Sequence, residues 1–135
     1  MGKFRDKAVL VTGAGVGIGF EICRQFAAEG ANVALNDIDA SLANAAAAAI
    51  NKAMGREAVR AYTCDVADVE AVRSMVTDFA SRVGRLDITI ANAGLTDFGE
   101  FLTFTPEAFD RLMAVNLRGS YFTAQAAARI MIVQK

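Results

Sequence analysis

The 135 residues suffice for one domain with a hydrophobic core, and a composition of 54% hydrophobic and 21% charged residues is neither disordered nor fibrous. A formal net charge of −1 gives no reason to expect nucleic acid or an anionic membrane as a partner. The apolar runs are far too short to span a bilayer, the N-terminal residues lack a signal-peptide core, and Lys7 stands where a myristoylation motif has Ser or Thr, which makes the cytoplasm the expected location.

Short apolar runs alternate with longer amphipathic ones. Ala8-Val9-Leu10-Val11 reads as a fully buried strand, and the glycine-rich stretch Thr12-Gly13-Ala14-Gly15-Val16-Gly17-Ile18-Gly19 follows it. A helix over 18–29 comes next, with Ile18, Ile22 and Phe26 as its apolar face and Gly30 as its stop. Val33-Ala34-Leu35 is the second strand. Asp39 or Ser41 caps an alanine-rich helix that runs to about residue 54, where Gly55 ends it. Residues 58–62 form a third strand. Asp68 caps a helix whose stripe is Val69, Val72, Val76, Phe79 and Val83, and Gly84 ends it. Residues 86–91 form a fourth strand, with Asp87 in a structural role. Thr105-Pro106-Glu107 supplies a cap, a first-turn proline and an acid at the positive helix end, and helical character continues to about residue 133. Strands alternating with helices in this way imply right-handed crossovers and an α/β fold: a Rossmann-like, doubly wound parallel sheet in three layers.

On such sheets ligands bind beyond the carboxyl ends of the strands, and four suggestive motifs fall there. After strand one, T-G-x-x-x-G-x-G lets the backbone turn tightly and approach a pyrophosphate, which the free N–H groups and dipole of the next helix favour. After strand two, Asp37 stands twenty residues beyond Gly17, where a carboxylate accepts both ribose hydroxyls of an adenosine and repels a 2′-phosphate. Val16 and Ile38 bring no positive charge to offset that repulsion, so NAD is favoured over NADP. After strand three, Asp65 can accept from an adenine amino group, and Val66 offers backbone groups and an apolar edge to the ring. After strand four, the small residues of Asn92-Ala93-Gly94 let a ribose pass, and the asparagine can tie neighbouring strand ends together.

Taken singly, each motif has a bland explanation: an empty tight turn, a helix cap, an Asx turn, an ordinary Asn-Gly turn. Asn116 and Gly119 in Val115-Asn116-Leu117-Arg118-Gly119 sit unfavourably inside a helix, and such violations often mark function, although a solvent-facing Asn fits the spacing as well. Cys23 and Cys64 match neither a redox pair nor a metal pattern and read as buried hydrophobes, and with no histidine present no metal site is expected.

In their order and spacing, T-G-x-x-x-G-x-G, the aspartate ending strand two, Asp65-Val66, Asn-Ala-Gly and V-N-L-x-G closely resemble the short-chain dehydrogenase/reductase family. The resemblance covers essentially the whole chain. It implies an NAD(P)-dependent oxidoreductase that interconverts an alcohol and a carbonyl of a small molecule by hydride transfer. It also implies roles. Gly13, Gly17 and Gly19 hold the pyrophosphate and Asp37 the adenosine ribose; Asp65 and Val66 hold the adenine; Asn92, Ala93, Gly94 and Val115 line the cofactor channel. Val16, Ile18 and Ile38 complete the cofactor-contacting set, and Asn116 is the catalytic asparagine, shaping a helix bulge that holds a relay water.

The family's active site also needs a Ser and a Tyr-x-x-x-Lys pair. Here Tyr62 is followed four residues later by Val66, and Tyr121 by Gln125. Residues 1–135 therefore read as the N-terminal, dinucleotide-binding part of one such domain, with the sheet incomplete on one side and the catalytic half absent. The chain alone is expected to bind cofactor without turnover. Phe109, Leu117, Tyr121 and Phe122 would be left exposed, and the complete protein is expected to be a homodimer or homotetramer. Two other readings stay open: a naturally short, non-catalytic dinucleotide-binding module, and an α/β domain for another adenosine ligand such as S-adenosylmethionine.

Overall fold

The computed structural model describes residues 2–134. Four parallel strands form one sheet in the order β3-β2-β1-β4: β1 (Ala8–Val11), β2 (Asn32–Asp37), β3 (Val59–Thr63) and β4 (Ile88–Ile90). Five α-helices accompany them: α1 (Gly17–Ala28), α2 (Ala40–Met54), α3 (Val69–Val83), α4 (Pro106–Met113) and α5 (Ser120–Met131). A π-helical turn, Ala114–Gly119, joins α4 to α5. Among the described residues no helix is long and apolar enough to cross a membrane.

Strand alternation divides the core. Val9 and Val11 of β1, with Val33 and Leu35 of β2, pack against Cys23 and Ala27 of α1 and Ala43, Ala47 and Ile50 of α2. Leu10 and Ala34 face the other way, onto Val72, Val76 and Phe79 of α3 and Ala126 and Ala127 of α5. Both faces of β1 and β2 are therefore covered, which is why these strands read as unbroken apolar runs. Asp39, Asp68 and Thr105 each accept a first-turn amide at the heads of α2, α3 and α4. Gly55 and Gly84 follow α2 and α3 in the left-handed conformation.

Two details differ from the sequence reading. The buried face of α1 is Gly19, Cys23 and Ala27, while Ile18 is 77% exposed and Ile22 and Phe26 are only half-buried. The helix lies so close to the loop after β1 that a Cβ at Gly19 would stand 2.6 Å from the Gly13 carbonyl oxygen, so its inner face must be small. Asp87 lies just before β4 rather than inside it: its amide donates to the Ala8 carbonyl at 2.9 Å, while the Ala8 N–H goes to its carboxylate instead of to a backbone carbonyl.

Candidate functional site

The carboxyl ends of the strands are stitched together by two asparagines and a threonine. Asn36, 1% exposed, donates from Nδ2 to the carbonyls of Tyr62 and Cys64, and its Oδ1 accepts from Gly13 N at 3.3 Å. Both Nδ2 hydrogens and Oδ1 thus have partners, as burial requires. Asn92 donates from Nδ2 to the carbonyls of Thr12 and Gly13, and Thr12 Oγ1 accepts from the amides of Asn92 and Ala93, both at 3.1 Å. The tie expected of Asn92 is thus present; those of Asn36 and Thr12 were not singled out from the sequence, although Asn36 was legible as a polar residue at the end of an apolar strand.

Above this framework lies a cavity of about 300 Å³. Gly13, Val16, Asp37, Ile38, Asp65, Val66, Asn92, Ala93, Gly94 and Val115 all line it. Loops separated by up to a hundred residues converge here because the parallel sheet brings every strand's carboxyl end to one rim. Gly17 and Ile18 lie beside the cavity at the head of α1, Gly19 is buried beneath the loop, and Asn116 lies outside the lining. A larger open groove of about 1000 Å³ runs along the outer edge of β3, between α2 and α3, and gathers none of the motifs.

The geometry gives each part a capacity. Asp37 is 9% exposed, and its carboxylate oxygens accept one amide each: Oδ2 from Gly15 and Oδ1 from Asp39, both at 3.0 Å. A Cβ at Gly15 would stand 2.7 Å from that Oδ2, so only glycine lets the loop close on the carboxylate. Each oxygen keeps a second lone pair for a hydroxyl donor. Val16 is extended ahead of α1 and no side chain caps the helix, unlike α2, α3 and α4. First-turn amides without an internal partner make that end suited to an anion.

Asp65 accepts from Ala67 N through Oδ1 at 2.9 Å and from Arg111 Nη1 through Oδ2 at 3.1 Å. Partial burial pushes its pKa upward, but the Ala67 amide and the Arg111 guanidinium outweigh this and hold it below the usual carboxylate value. Arg111 also lines the cavity and was missed, since nothing local on a helix signals an ion pair 46 residues away. Cys64 lines it too, but burial, aided by the Asp68 and Asp65 charges, pushes its thiol up to about 11. No Ser, Tyr, Lys or His is among the lining residues.

Asn116 sits in the π-helical turn and is exposed. Its Nδ2 donates to the Leu95 carbonyl at 2.8 Å, and its Oδ1 accepts from the Leu95 amide at 2.7 Å. The helix bulge implied by the resemblance is present as this π-helical turn, and the Asn116 side chain binds backbone rather than facing water alone.

The family model described as short chain dehydrogenase matches residues 7–135. The chain belongs to the short-chain dehydrogenase/reductase family. Sorbitol dehydrogenase of Cereibacter sphaeroides is 38% identical over 130 residues, which is 96% of this chain and 49% of that protein. The NAD+-bound structure of a xylitol dehydrogenase matches with a TM-score of 0.91 and 34% identity, over 98% of this chain and 50% of the other. A short chain dehydrogenase from Burkholderia cenocepacia J2315 in complex with NADP matches with a TM-score of 0.88 and 39% identity, over 96% and 52%. The chain therefore spans about half the length of the relatives it matches. Both nicotinamide dinucleotides occur among these structures of the short-chain dehydrogenase/reductase family.

Proposed function

We propose that this chain is the cofactor-binding half of a short-chain dehydrogenase/reductase that uses NAD to interconvert an alcohol and a carbonyl of a small molecule. The observation that carries the cofactor preference is Asp37: a buried carboxylate on the cavity rim, with the apolar Val16 and Ile38 in the same lining, while Arg111, the cation of that lining, is engaged by Asp65. The amides of Gly17, Ile18 and Gly19, with Gly13, would take the pyrophosphate; Asp37 and Ile38 the adenosine ribose; Asp65 and Val66 the adenine. Asn92, Ala93, Gly94 and Val115 would border the channel towards the nicotinamide. The bound dinucleotide supplies the hydride chemistry; these residues bind and orient it. Asn116, anchored on Leu95, is the catalytic asparagine of this reading, holding the helix bulge open for a relay water.

The proton-transfer groups lie outside these residues. Tyr62 donates its hydroxyl to Asp78 at 2.7 Å on the α3 side, and burial together with that contact pushes its pKa up, which suits a structural tyrosine. Tyr121 has no lysine four residues on. Turnover then needs a Ser and a Tyr-x-x-x-Lys from further chain, and the 135 residues alone bind cofactor without reducing it. The sugar-alcohol dehydrogenases among the relatives make polyols the substrate class to try first.

Calorimetric titration tests the cofactor assignment. NAD is expected to bind at least about tenfold more tightly than NADP, a difference of about 1.4 kcal/mol, and Asp37→Ser should erase it. Equal affinities in the unaltered chain would overturn the preference, and failure of both to bind would overturn the function.

A further inference from the structure

Two arginines fasten the π-helical turn to the loop after β3, one from each side. Arg111, in the last turn of α4, reaches Asp65 Oδ2 at 3.1 Å, and Arg118 donates from Nη2 to the Ala67 carbonyl at 2.6 Å. Between them the turn lies hard against the loop, since a Cβ on Gly119 would stand 2.9 Å from Val66 Cγ2. The two ties differ in one respect. Arg111 lines the cavity and shares a carboxylate with it, whereas Arg118 does neither.

We propose that Arg111 is a specificity-determining residue for the purine base: it pins Asp65 as an acceptor and walls the base subsite with its planar guanidinium. This rests on the reading of Asp65 and Val66 as the adenine end. The argument is one of hydrogen-bond capacity. Asp65 Oδ1 takes Ala67 N and Oδ2 takes Arg111, so the carboxylate is held from both ends and each oxygen keeps one lone pair at a set angle. A carboxylate so held accepts from an exocyclic amino group and repels an exocyclic oxygen. A guanidinium also presents a flat, weakly hydrated face on which an aromatic ring stacks, which a lysine ammonium does not. Without Arg111 the Oδ2 atom is free to turn to water, and the discrimination should fade along with the stacking.

The test compares NAD with its hypoxanthine analogue, in which a carbonyl oxygen replaces the adenine amino group and N1 carries a hydrogen. The unaltered chain should bind NAD about tenfold more tightly, the range expected when an acceptor covered by the base loses its donor. Arg111→Ala should weaken NAD about tenfold and cut the preference to about twofold, and Arg111→Lys, which keeps the ion pair but not the plane, should retain the preference while losing part of the affinity. Arg118→Ala, which breaks the other tie, should leave the preference unchanged. Circular dichroism establishes that each variant is folded. Equal affinities in the unaltered chain, a full preference in Arg111→Ala, or a preference lost equally in Arg118→Ala would each overturn the proposal while leaving dinucleotide binding in place. If the unaltered chain binds neither dinucleotide, the underlying site reading falls and this inference with it.

Discussion

Asp87 fastens the start of β1 to the start of β4 with a single carboxylate. Oδ2 accepts from Ala8 N at 2.8 Å, the Arg85 guanidinium donates to both oxygens, and Lys7 Nζ lies 3.8 Å from Oδ1. Ala8 is fully buried, so its amide has no water to turn to if the carboxylate is removed. Asp87→Ala should therefore cost about 1–3 kcal/mol at neutral pH, the desolvation of one orphaned donor. The Arg85 contact, then the Ala8 amide and the Lys7 charge, outweigh burial and lower the Asp87 pKa below its ordinary 3.8. A lowered folded pKa means the unfolded chain binds the extra proton first. The stabilisation is then complete above about pH 4 and is lost as pH falls through the folded value. Urea unfolding of both proteins across the acid range should show the difference constant above pH 4 and shrinking below it. A difference that grows on acidification would refute this account.

At the scale of elements, the π-helical turn shows how much a local signal can say. The family resemblance implied a helix bulge at Asn116, but not that Asn116 would clamp Leu95 or that Gly119 would seat on Val66. Gly119→Ala weighs two effects against each other. Its backbone is helical (φ −60°), so alanine gains about 1 kcal/mol of helix propensity. The new Cβ would stand 2.9 Å from Val66 Cγ2 and 3.1 Å from its carbonyl oxygen, and overpacking of that kind costs about 1–3 kcal/mol. We expect net destabilisation, seen as a melting temperature lower by a few degrees, together with weaker binding of adenosine nucleotides as the Asp65-Val66-Ala67 loop is pushed away. A melting temperature raised by the propensity gain would show that the loop yields freely.

For the molecule as a whole, the surface opposite the α3–α5 core is unusual. Phe109, Met113, Leu117 and Tyr121 recur every fourth residue across α4, the π-helical turn and α5, all exposed, and Phe98, Phe101 and Leu102 are each more than 90% exposed in the preceding loop. Phe122, expected to be exposed with them, is half-buried and meets Tyr121 edge to face at 5.0 Å between centroids. So many exposed large apolar side chains point to an association surface. The chain is expected to self-associate in solution, and Leu117→Glu with Tyr121→Glu should shift it to monomer in sedimentation equilibrium without changing NAD affinity. A monomeric unaltered chain would remove this expectation.

Strand and helix identities, their caps and the positions of the four rim motifs were legible in the residues themselves. These depend on backbone conformation and local hydrogen bonding: a buried strand needs an unbroken apolar run, and a helix head needs an Asp or Thr such as Asp39, Asp68 or Thr105. The inner face of α1 was not legible, because closeness to the Gly13 carbonyl, not hydrophobicity, selects Gly19, Cys23 and Ala27. Nor were the partners of Asn36, Thr12, Asp87, Arg111 and Arg118. Each is a polar group satisfied by a residue distant in sequence, and its donor or acceptor exists only once the parallel sheet has brought the strand ends together. Local chemistry decided what kind of site the rim could hold; tertiary packing decided which side chains build and steady it.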